Sequence, residues 1–397
     1  MHHSRHSLHH LVALTDEQKI EMSRALASRV RRHELLAGRE RVPPAPAGPL
    51  AAPAAPLPSY AFPITTVSMN YNFDAYIGIG FLGADPANAP QLLVDSGNSN
   101  LIVPRWEDIA AIPNYQASYQ VLGQASEPWG CPANVVRGPI QLFDSDGATF
   151  TIPDCVFYAC TGDSPQDQSR TANFGTGCIA PWSASPSNAP SGLGVTLQPV
   201  LSQTAYPYVE SDYAPMEKMQ LASTAAAAST ESAIRIYNAA PDGYRMFDII
   251  RDLEWMALTP KSLSIANTPT QWPGNVASPI AMIDTGGGPV YLSDPNGYLY
   301  RSAWPSPVAN PDWASSSTSC ESTQALLEIT IGDAAASYTY VIDNSTFPQS
   351  ARGLTLVMCE MNAYMMGQQG MNIGGISALV NSILIDFGNN QVGFKKR

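Results

Sequence analysis

The sequence predicts an all-β protein with two lobes, and three observations predict it. The 397 residues include 34 Pro and 29 Gly, and only 14% are charged, a composition that favours a turn-rich β protein. From residue 64 onward, short alternating or apolar runs are separated by Gly, Pro, Asn and Asp, which is typical of closely spaced strands. An Asp-(Ser/Thr)-Gly turn occurs twice in matching contexts, at Asp95 and at Asp284. The two turns indicate a loose twofold relation between the halves of the chain.

The N-terminal segment differs from the rest in composition. Residues 15–37 predict a helix, because Thr15 and Gln18 have the spacing of a capping box and apolar residues recur with helical periodicity. Residues 42–63 are rich in Pro and Ala, which predicts an extended linker. We therefore expect a helical N-terminal arm, tethered to the body of the protein.

The body is expected to begin at residue 64 and to consist of strands. The clearest predicted strands are Tyr76–Phe81, Gln91–Val94, Pro139–Phe143, Thr149–Ile152, Leu326–Ile331 and Tyr338–Ile342. The Ala-rich stretch Ser223–Thr230 near the middle marks either a lobe boundary or a surface insertion. The predicted organisation is therefore residues 1–63 as arm and linker, 64–235 as the N-terminal lobe and 236–397 as the C-terminal lobe.

Histidine usage excludes several kinds of hydrolase. All six histidines lie within the first 33 residues, so the body has none for a Ser-His-Asp or Cys-His mechanism or for a His-ligated zinc site. Carboxylates remain as the acid–base groups of a hydrolase. No metal and no cofactor are expected.

The charge distribution limits the partners. Residues 1–60 carry eight basic and five acidic residues, while the whole chain has a net charge of −12, so the body is strongly acidic. An acidic body repels nucleic acid. No apolar stretch is long enough to span a membrane. We expect a monomer that acts on a peptide or protein. The negative charge by itself does not indicate a function, because a net charge also keeps a protein soluble.

The cysteines form an even set and all lie in the body. Three disulfides among Cys131, Cys155, Cys160, Cys178, Cys320 and Cys359 would fit this count, but the sequence leaves their pairing open. Disulfides favour an extracellular or other oxidising compartment. Because the first 20 residues contain no apolar run of secretory length, the location is not decided.

The two Asp turns carry the chemistry. In each, an apolar strand runs into the aspartate, and a glycine then lets the backbone turn tightly and direct amides at the carboxylate. Burying a charged group directly after a strand is costly unless such hydrogen bonds compensate it. A single Asp-Ser-Gly is a common β-turn, but two copies in matching contexts predict a pair of functional carboxylates.

The segment from Asp95 to Pro104, Asp-Ser-Gly-Asn-Ser-Asn-Leu-Ile-Val-Pro, resembles the first active-site motif of the pepsin family, Asp-Thr-Gly-Ser-Ser-Asn-Leu-Trp-Val-Pro. The C-terminal residues Asn372-Ile373-Gly374-Gly375-Ile376 and the ending Asn390-Gln391-Val392-Gly393-Phe394 are similar to the closing motif of the family. The resemblance covers roughly residues 64–397. It suggests Gly177-Cys178-Ile179-Ala180 as the matching element of the first lobe.

The resemblance implies a double β-barrel fold with an active-site cleft between the lobes. Asp95 and Asp284 would be the catalytic pair of an aspartic endopeptidase, sharing one proton and activating a water molecule, as the family does. The supporting loop residues would be Ser96, Gly97, Asn98, Ser99, Thr285, Gly286 and Gly287. Cys320 and Cys359 would form the disulfide of the second lobe. The basic arm resembles the propeptide of a zymogen.

Three positions depart from the family pattern. Asn98 and Gly287 replace hydroxyl residues that hydrogen-bond the two aspartates in the family. Fewer hydroxyl donors are expected to raise the apparent pKa values of the pair, and with them the pH optimum. Ile102 replaces a Trp that packs near the flap, the hairpin that covers the cleft. Trp129 and Gly130 are the nearest flap candidates, although Trp129 could equally pack a turn beside a disulfide.

Two other functions remain open. A catalytically weak or inactive homologue that binds a partner is compatible with the altered surroundings of the aspartates, whereas the retention of both Asp turns favours the enzyme. A purely structural β protein does not explain why paired turns and the C-terminal motif occur together.

Overall fold

The computed structural model describes much of the body of the chain. The described residues are 59–69, 72–127, 131–144, 147–162, 172–177, 190, 192–195, 197–213, 232–250, 256–265, 268–270, 280–286, 290–293, 319–323, 327–332, 337–342, 356–360, 370–375, 378 and 380–396. The predicted helix at 15–37 and residues 42–58 of the predicted linker lie outside them, whereas residues 59–63 are the start of the first strand, so the linker prediction is wrong for these five residues.

The first half of the chain forms an N-terminal sheet. Its strands are β1 (Ser59–Met69), β2 (Asn72–Phe81), β3 (Gln91–Asp95), β4 (Leu101–Val103), β5 (Gln120–Ser126), β6 (Pro132–Phe143), β7 (Thr149–Cys160) and β8 (Asn173–Gly175). They lie in the order β1-β2-β3-β8-β4-β7-β6-β5, and β2 also pairs with β6. The N-terminal sheet thus places β8 between β3 and β4, although β8 follows both in sequence.

The next strands form a connecting sheet with the end of the chain. They are β9 (Tyr208–Asp212), β10 (Ala233–Tyr237) and β11 (Arg245–Asp248), together with β22 (Asn381–Asp386) and β23 (Gln391–Lys396). Their order is β11-β23-β22-β9-β10-β1, so that β1 belongs to both this sheet and the N-terminal one. The connecting sheet therefore joins the C-terminal strands β22 and β23 to the first strand described through β9 and β10.

The strands between them form two further sheets. They are β12 (Ala257–Leu258), β13 (Pro260–Ile265), β14 (Thr268–Thr270), β15 (Ile280–Ile283), β16 (Val290–Ser293), β17 (Ser319–Thr323), β18 (Leu327–Gly332), β19 (Ser337–Ile342), β20 (Leu356–Glu360) and β21 (Gly370–Ile373). The C-terminal sheet has the order β12-β15-β21-β16-β20-β17, and β14-β13-β18-β19 form a small fourth sheet. Helical segments are short and include α1 (Glu107–Ala110) and a 3-10 turn at Val200–Gln203. The predicted all-β class is confirmed, and so are the six predicted strands.

The strand order repeats between the two halves. β3 runs parallel to β8, β8 antiparallel to β4, and β4 parallel to β7. In the C-terminal sheet, β15, β21, β16 and β20 pair in the same parallel, antiparallel, parallel sequence. The first-half counterpart of Asn372-Ile373-Gly374 is therefore β8, and not the segment beginning at Gly177 that the sequence suggested. The sequence-based assignment was wrong because the counterpart is the strand that pairs parallel with β3, and the sequence does not show which strand that is.

One apolar core runs through the N-terminal, connecting and C-terminal sheets. Leu92 and Val94 of β3, Ile234 of β10 and Ile283 and Ile373 of the C-terminal sheet are buried in the same cluster. Burial of each apolar side chain of this size contributes about 1.5 to 3 kcal/mol. The two strands that lead into the Asp turns, β3 and β15, therefore pack in the same apolar core.

Candidate functional site

Asp95 is the last residue of β3, and its turn folds back on its own carboxylate. The backbone N–H of Gly97 donates to Asp95 Oδ1 at 2.7 Å. Thr176 N–H donates to the backbone carbonyl of Asp95 at 2.8 Å, which ties the turn to the residue after β8. The side chain is buried, with 7% exposure.

Asp284 follows β15 in the same way. Gly286 N–H donates to Asp284 Oδ1 at 3.1 Å, and Asp284 N–H donates to the carbonyl of Ile373 at 3.2 Å. Asp284 is 2% exposed. Each half of the chain thus presents one aspartate from an equivalent turn.

The two turns face each other at close range, and glycine is required at both. A methyl group at Gly97 would lie 2.6 Å from Oδ1 of Asp284, and one at Gly286 would lie 2.7 Å from Oδ1 of Asp95. No side chain fits at either distance. The Oδ1 atoms are therefore the inner oxygens of the pair, each beside the opposite turn.

A reciprocal set of hydrogen bonds fastens the turns together. Ser96 N–H donates to Thr285 Oγ1 at 3.0 Å, and Thr285 N–H donates to Ser96 Oγ at 2.9 Å. The hydroxyls in turn donate to backbone carbonyls of the opposite strand, Ser96 to Ile283 at 3.0 Å and Thr285 to Val94 at 3.1 Å. Four buried bonds join segments from the two halves of the chain and set the spacing of the carboxyl groups.

Two asparagines that were not predicted as site residues complete the hydrogen bonding of the pair. Asn173 Nδ2 donates to Asp95 Oδ2 at 2.7 Å, and Asn372 Nδ2 donates to Asp284 Oδ2 at 2.7 Å. Both are buried, and they are equivalent in register, since Asn173 lies opposite Leu93 and Asn372 opposite Met282. The Oδ2 atoms are thus the outer oxygens of the pair, and each accepts a hydrogen bond from an amide.

Asn98 supports this arrangement indirectly. Its Nδ2 donates to Asn173 Oδ1 at 3.2 Å, while its Oδ1 accepts from the N–H of Asn100 at 3.0 Å. The expected loss of a donor at Asn98 is therefore compensated at Asp95, because Asn173 supplies the hydrogen bond from another strand. Asp95 therefore has its hydrogen-bond donor, and the replacement at Asn98 is no reason to expect a raised pH optimum.

The pKa of Asp95 is nevertheless raised well above the ordinary value of an aspartic acid. Burial is the largest cause and the adjacent negative charge of Asp284 the next, while the bonds from Asn173 and Gly97 act in the opposite direction. The Asp95 carboxyl is therefore a group that can hold a proton where exposed aspartates are ionised.

The remaining predicted site residues have different surroundings. Ser99 is fully buried. Ile102 is also fully buried and packs with Val135 and Tyr158 in a small apolar cluster, so the residue that replaces the family Trp belongs to the core. The flap candidates Trp129 and Gly130, and the loop residue Gly287, lie outside the described residues.

The cysteines pair in part as expected. Cys131 and Cys160 form a disulfide, whereas Cys155 is a free, buried thiol with a pKa raised to about 12 by burial. Cys155 and Cys160 are an odd number of residues apart on β7, so they point to opposite faces of the strand, and Cys155 faces the core. With Cys155 unpaired, the three expected disulfides reduce to two at most.

Two further candidate cysteines lie on neighbouring strands of the C-terminal sheet. Cys320 on β17 lies directly opposite Cys359 on β20, which is compatible with the expected pairing. Cys178 lies outside the described residues.

Within the described residues, no group of three or more His, Cys, Asp or Glu side chains could hold a metal ion. No helix in this part of the chain is long and apolar enough to cross a membrane.

A sequence signal for the two asparagines does exist. The triplet Asn-apolar-Gly occurs as Asn173-Phe174-Gly175 and as Asn372-Ile373-Gly374. It becomes informative only once β8 and β21 are known to lie beside the aspartate strands.

Comparison with known proteins shows the fold. No family model and no curated protein matches the chain. The crystal structure of Basic 7S globulin from soybean matches 86% of this chain and 96% of its own, with a TM-score of 0.55 and 12% sequence identity. That globulin has the pepsin-like fold, and at this identity the similarity relates the two proteins by fold alone.

Proposed function

We propose that this protein is an aspartic endopeptidase that hydrolyses peptide bonds at acid to mildly acid pH, with Asp95 and Asp284 as the catalytic pair. The observation that carries the proposal is the reciprocal exchange between Ser96 and Thr285, which holds the two turns together so that each carboxyl group lies beside the opposite turn. Two buried carboxyls this close share one proton more readily than they ionise together; the aspartic proteases are the standard example of this behaviour.

The proposed reaction uses this shared proton. The ionised carboxylate removes a proton from a water molecule, whose oxygen attacks the carbonyl carbon of the scissile peptide bond. The protonated carboxyl donates its proton to the carbonyl oxygen, which gives a neutral tetrahedral diol. The carboxyl that took the proton from water then donates it to the leaving nitrogen, while the other carboxylate removes a proton from a diol hydroxyl. The C–N bond breaks to give the carboxylic acid and the amine, and the pair again holds one proton. We assign these roles to the pair and not to fixed members.

The proposal includes the setting of the reaction. The lobes would be residues 59–235 and 236–397 on either side of the cleft, and a monomer would cut protein substrates between bulky apolar residues. Residues 1–58 would be an inhibitory propeptide, because residues 59–63, the end of the predicted linker, belong to β1. The disulfide between Cys131 and Cys160 favours an oxidising compartment.

The deciding experiment measures cleavage of an unfolded protein substrate from about pH 2 to about pH 7, with and without pepstatin, an inhibitor of the family. Asp95→Asn and Asp284→Asn should each lose cleavage by several orders of magnitude. Asp108→Asn, a change on the surface helix α1, is the matched control and should retain it. If Asp284→Asn cleaves as fast as the wild type, the protein is not an aspartic peptidase of this kind.

A second candidate function is a catalytically weak or inactive homologue that binds a partner. It is favoured by the fold neighbour, which is named a globulin and not an enzyme, and by Ile102, which belongs to the core where the family has a Trp near its flap. Pepstatin or peptide binding without any cleavage over the same pH range would support this alternative.

A further inference from the structure

The hydrogen bonds around Asp95 have a direction that can be traced from one unambiguous donor. A backbone N–H can only donate, so the atom that accepts from Asn100 N–H must be Oδ1 of Asn98. The Nδ2 of Asn98 then faces Asn173, where it donates to Oδ1. The amide of Asn173 is fixed in turn, and its Nδ2 faces Asp95 Oδ2. The orientation of both amides follows from the network.

An amide nitrogen differs from a hydroxyl in what it permits at the carboxyl. A serine or threonine hydroxyl can donate or accept, so it tolerates a protonated or an ionised oxygen opposite it. Asn Nδ2 has donors only. A proton on the outer oxygen of Asp95 would face another proton, and the same holds for Asp284 opposite Asn372 at 2.7 Å.

The two asparagines also stand where the family resemblance implies apolar residues. The family loop reads apolar-apolar-Gly, while its donors are hydroxyls in the turn, at the positions of Asn98 and Gly287 here. In this chain the donor to Asp95 lies on β8 and not in the turn. The turn residue Asn98 has become the group that orients it.

We propose that Asn173 and Asn372 are positioning residues that keep the outer oxygens of Asp95 and Asp284 unprotonated and confine the shared proton to the inner oxygens. The inference rests on the proposed function, because the inner oxygens are where water and the scissile carbonyl would bind. The amides hold the ionised form of each carboxyl, so they extend activity toward low pH.

The test is the pH dependence of kcat/KM for Asn173→Leu and Asn372→Leu. Leucine has a similar size and removes the donor to the aspartate; at position 173 it also removes the acceptor of Asn98 Nδ2. The acid limb of the profile, where the pair becomes fully protonated, should move up by about one to two pH units in each variant, because bonds to charged groups have that strength. Asn134→Leu is the matched control, a buried asparagine on β6, three strands from β8, and its acid limb should not move. An unmoved acid limb in a natively folded Asn173→Leu protein would overturn the proposal.

A rescue separates this role from a purely structural one. The double variant Asn98→Ser, Asn173→Leu restores the family arrangement, with a hydroxyl donor in the turn and an apolar residue on the loop. Its acid limb should return toward that of the wild type. A double variant with the same acid limb as Asn173→Leu alone would contradict the exchange of donors.

A measurement that needs no activity keeps this inference separate from the proposed function. The melting temperature of Asn173→Leu should fall further below that of the wild type as the pH rises, because the lost donor matters most when Asp95 is ionised. The deficit of Asn134→Leu should not depend on pH. If the wild type cleaves nothing, the proposed function fails, while this comparison still decides the inference: a deficit in Asn173→Leu that is equally independent of pH overturns it.

Discussion

Asp95 illustrates how a buried carboxyl opposes stability. Its folded pKa is raised by burial and by Asp284, whereas an unfolded aspartate has a pKa of about 3.9. Between these values the folded state binds the additional proton, so its stability falls as the pH rises through that window. Below the unfolded pKa the group is protonated in both states and contributes nothing to this difference.

Asp95→Asn should therefore be more stable than the wild type at neutral pH while being inactive. The gain should be on the order of 1 to 2 kcal/mol, the range of stabilising single substitutions. It should shrink toward about pH 3, because the asparagine does not titrate and the wild-type carboxyl is then neutral. Urea unfolding at several pH values measures the gap, and a gap that widens in acid would contradict the assigned direction.

Thr285 carries two bonds that its isostere valine removes. Its Oγ1 accepts from Ser96 N–H and donates to the carbonyl of Val94, and the residue is 1% exposed. Thr285→Val leaves the buried N–H without this acceptor, which costs about 1 to 3 kcal/mol. We also expect kcat to fall more than KM changes, because the carboxyl spacing depends on this bond.

Thr330→Val is the control for Thr285→Val. The hydroxyl of Thr330 pairs with that of Thr339 at 3.0 Å in an exposed position on the fourth sheet. Its loss should change the free energy of unfolding by less than about 0.5 kcal/mol. If urea unfolding showed equal losses of free energy of unfolding for the two variants, the hydrogen bonds between the turns would contribute no more to stability than an exposed hydrogen bond does.

Among the strands, the disulfide fastens the start of β6 to the end of β7. It joins Cys131 to Cys160, which lie 29 residues apart, and Glu127 Oε1 accepts from Cys131 N–H at 2.6 Å just before it. The double variant Cys131→Ser, Cys160→Ser should lose about 3.5 kcal/mol of stability, the contribution expected for a closed loop of this size.

Peptide mapping without reduction checks the pairing directly. It should find Cys131 linked to Cys160, with Cys155 alkylated only after unfolding because its thiol is buried and its pKa is about 12. Cys155→Ser should keep the same linked peptide. A linked peptide containing Cys155 would show that the pairing described here is wrong.

The sequence predicted the strands and turns more completely than the contacts between them. Asp95, Ser96, Asp284 and Thr285 could be identified because each turn is a local pattern that repeats. Asn173 could not, since its role depends on β8 lying parallel to β3 with a particular register. The same limit explains the unpaired Cys155, whose direction on β7 depends on which face of that strand covers the core.

For the whole molecule, the repeated pairing of β3-β8-β4 and β15-β21-β16 explains why the site lies where the halves meet. Each half contributes one aspartate, one hydroxyl, one glycine N–H and one asparagine. The sheet order places all four at the ends of adjacent central strands. Each site residue in one half therefore has an equivalent residue in the other half. Substituting both members of such a pair shows whether the two halves contribute equally to the site.

The distribution of charge over the whole chain leads to the last prediction. Residues 1–60 carry eight basic residues against five acidic ones, and the body is acidic. As the pH falls, the carboxylates of the body are protonated while the basic residues of the arm stay charged, so their attraction weakens. If the arm is an inhibitory propeptide, acid incubation should release it, and N-terminal sequencing should find a new terminus within the Pro/Ala-rich residues 42–58, before β1 begins. Asp284→Asn should remain intact alone and be cut when active protein is added. Full activity of a chain that still carries residues 1–60 would show that the arm does not inhibit.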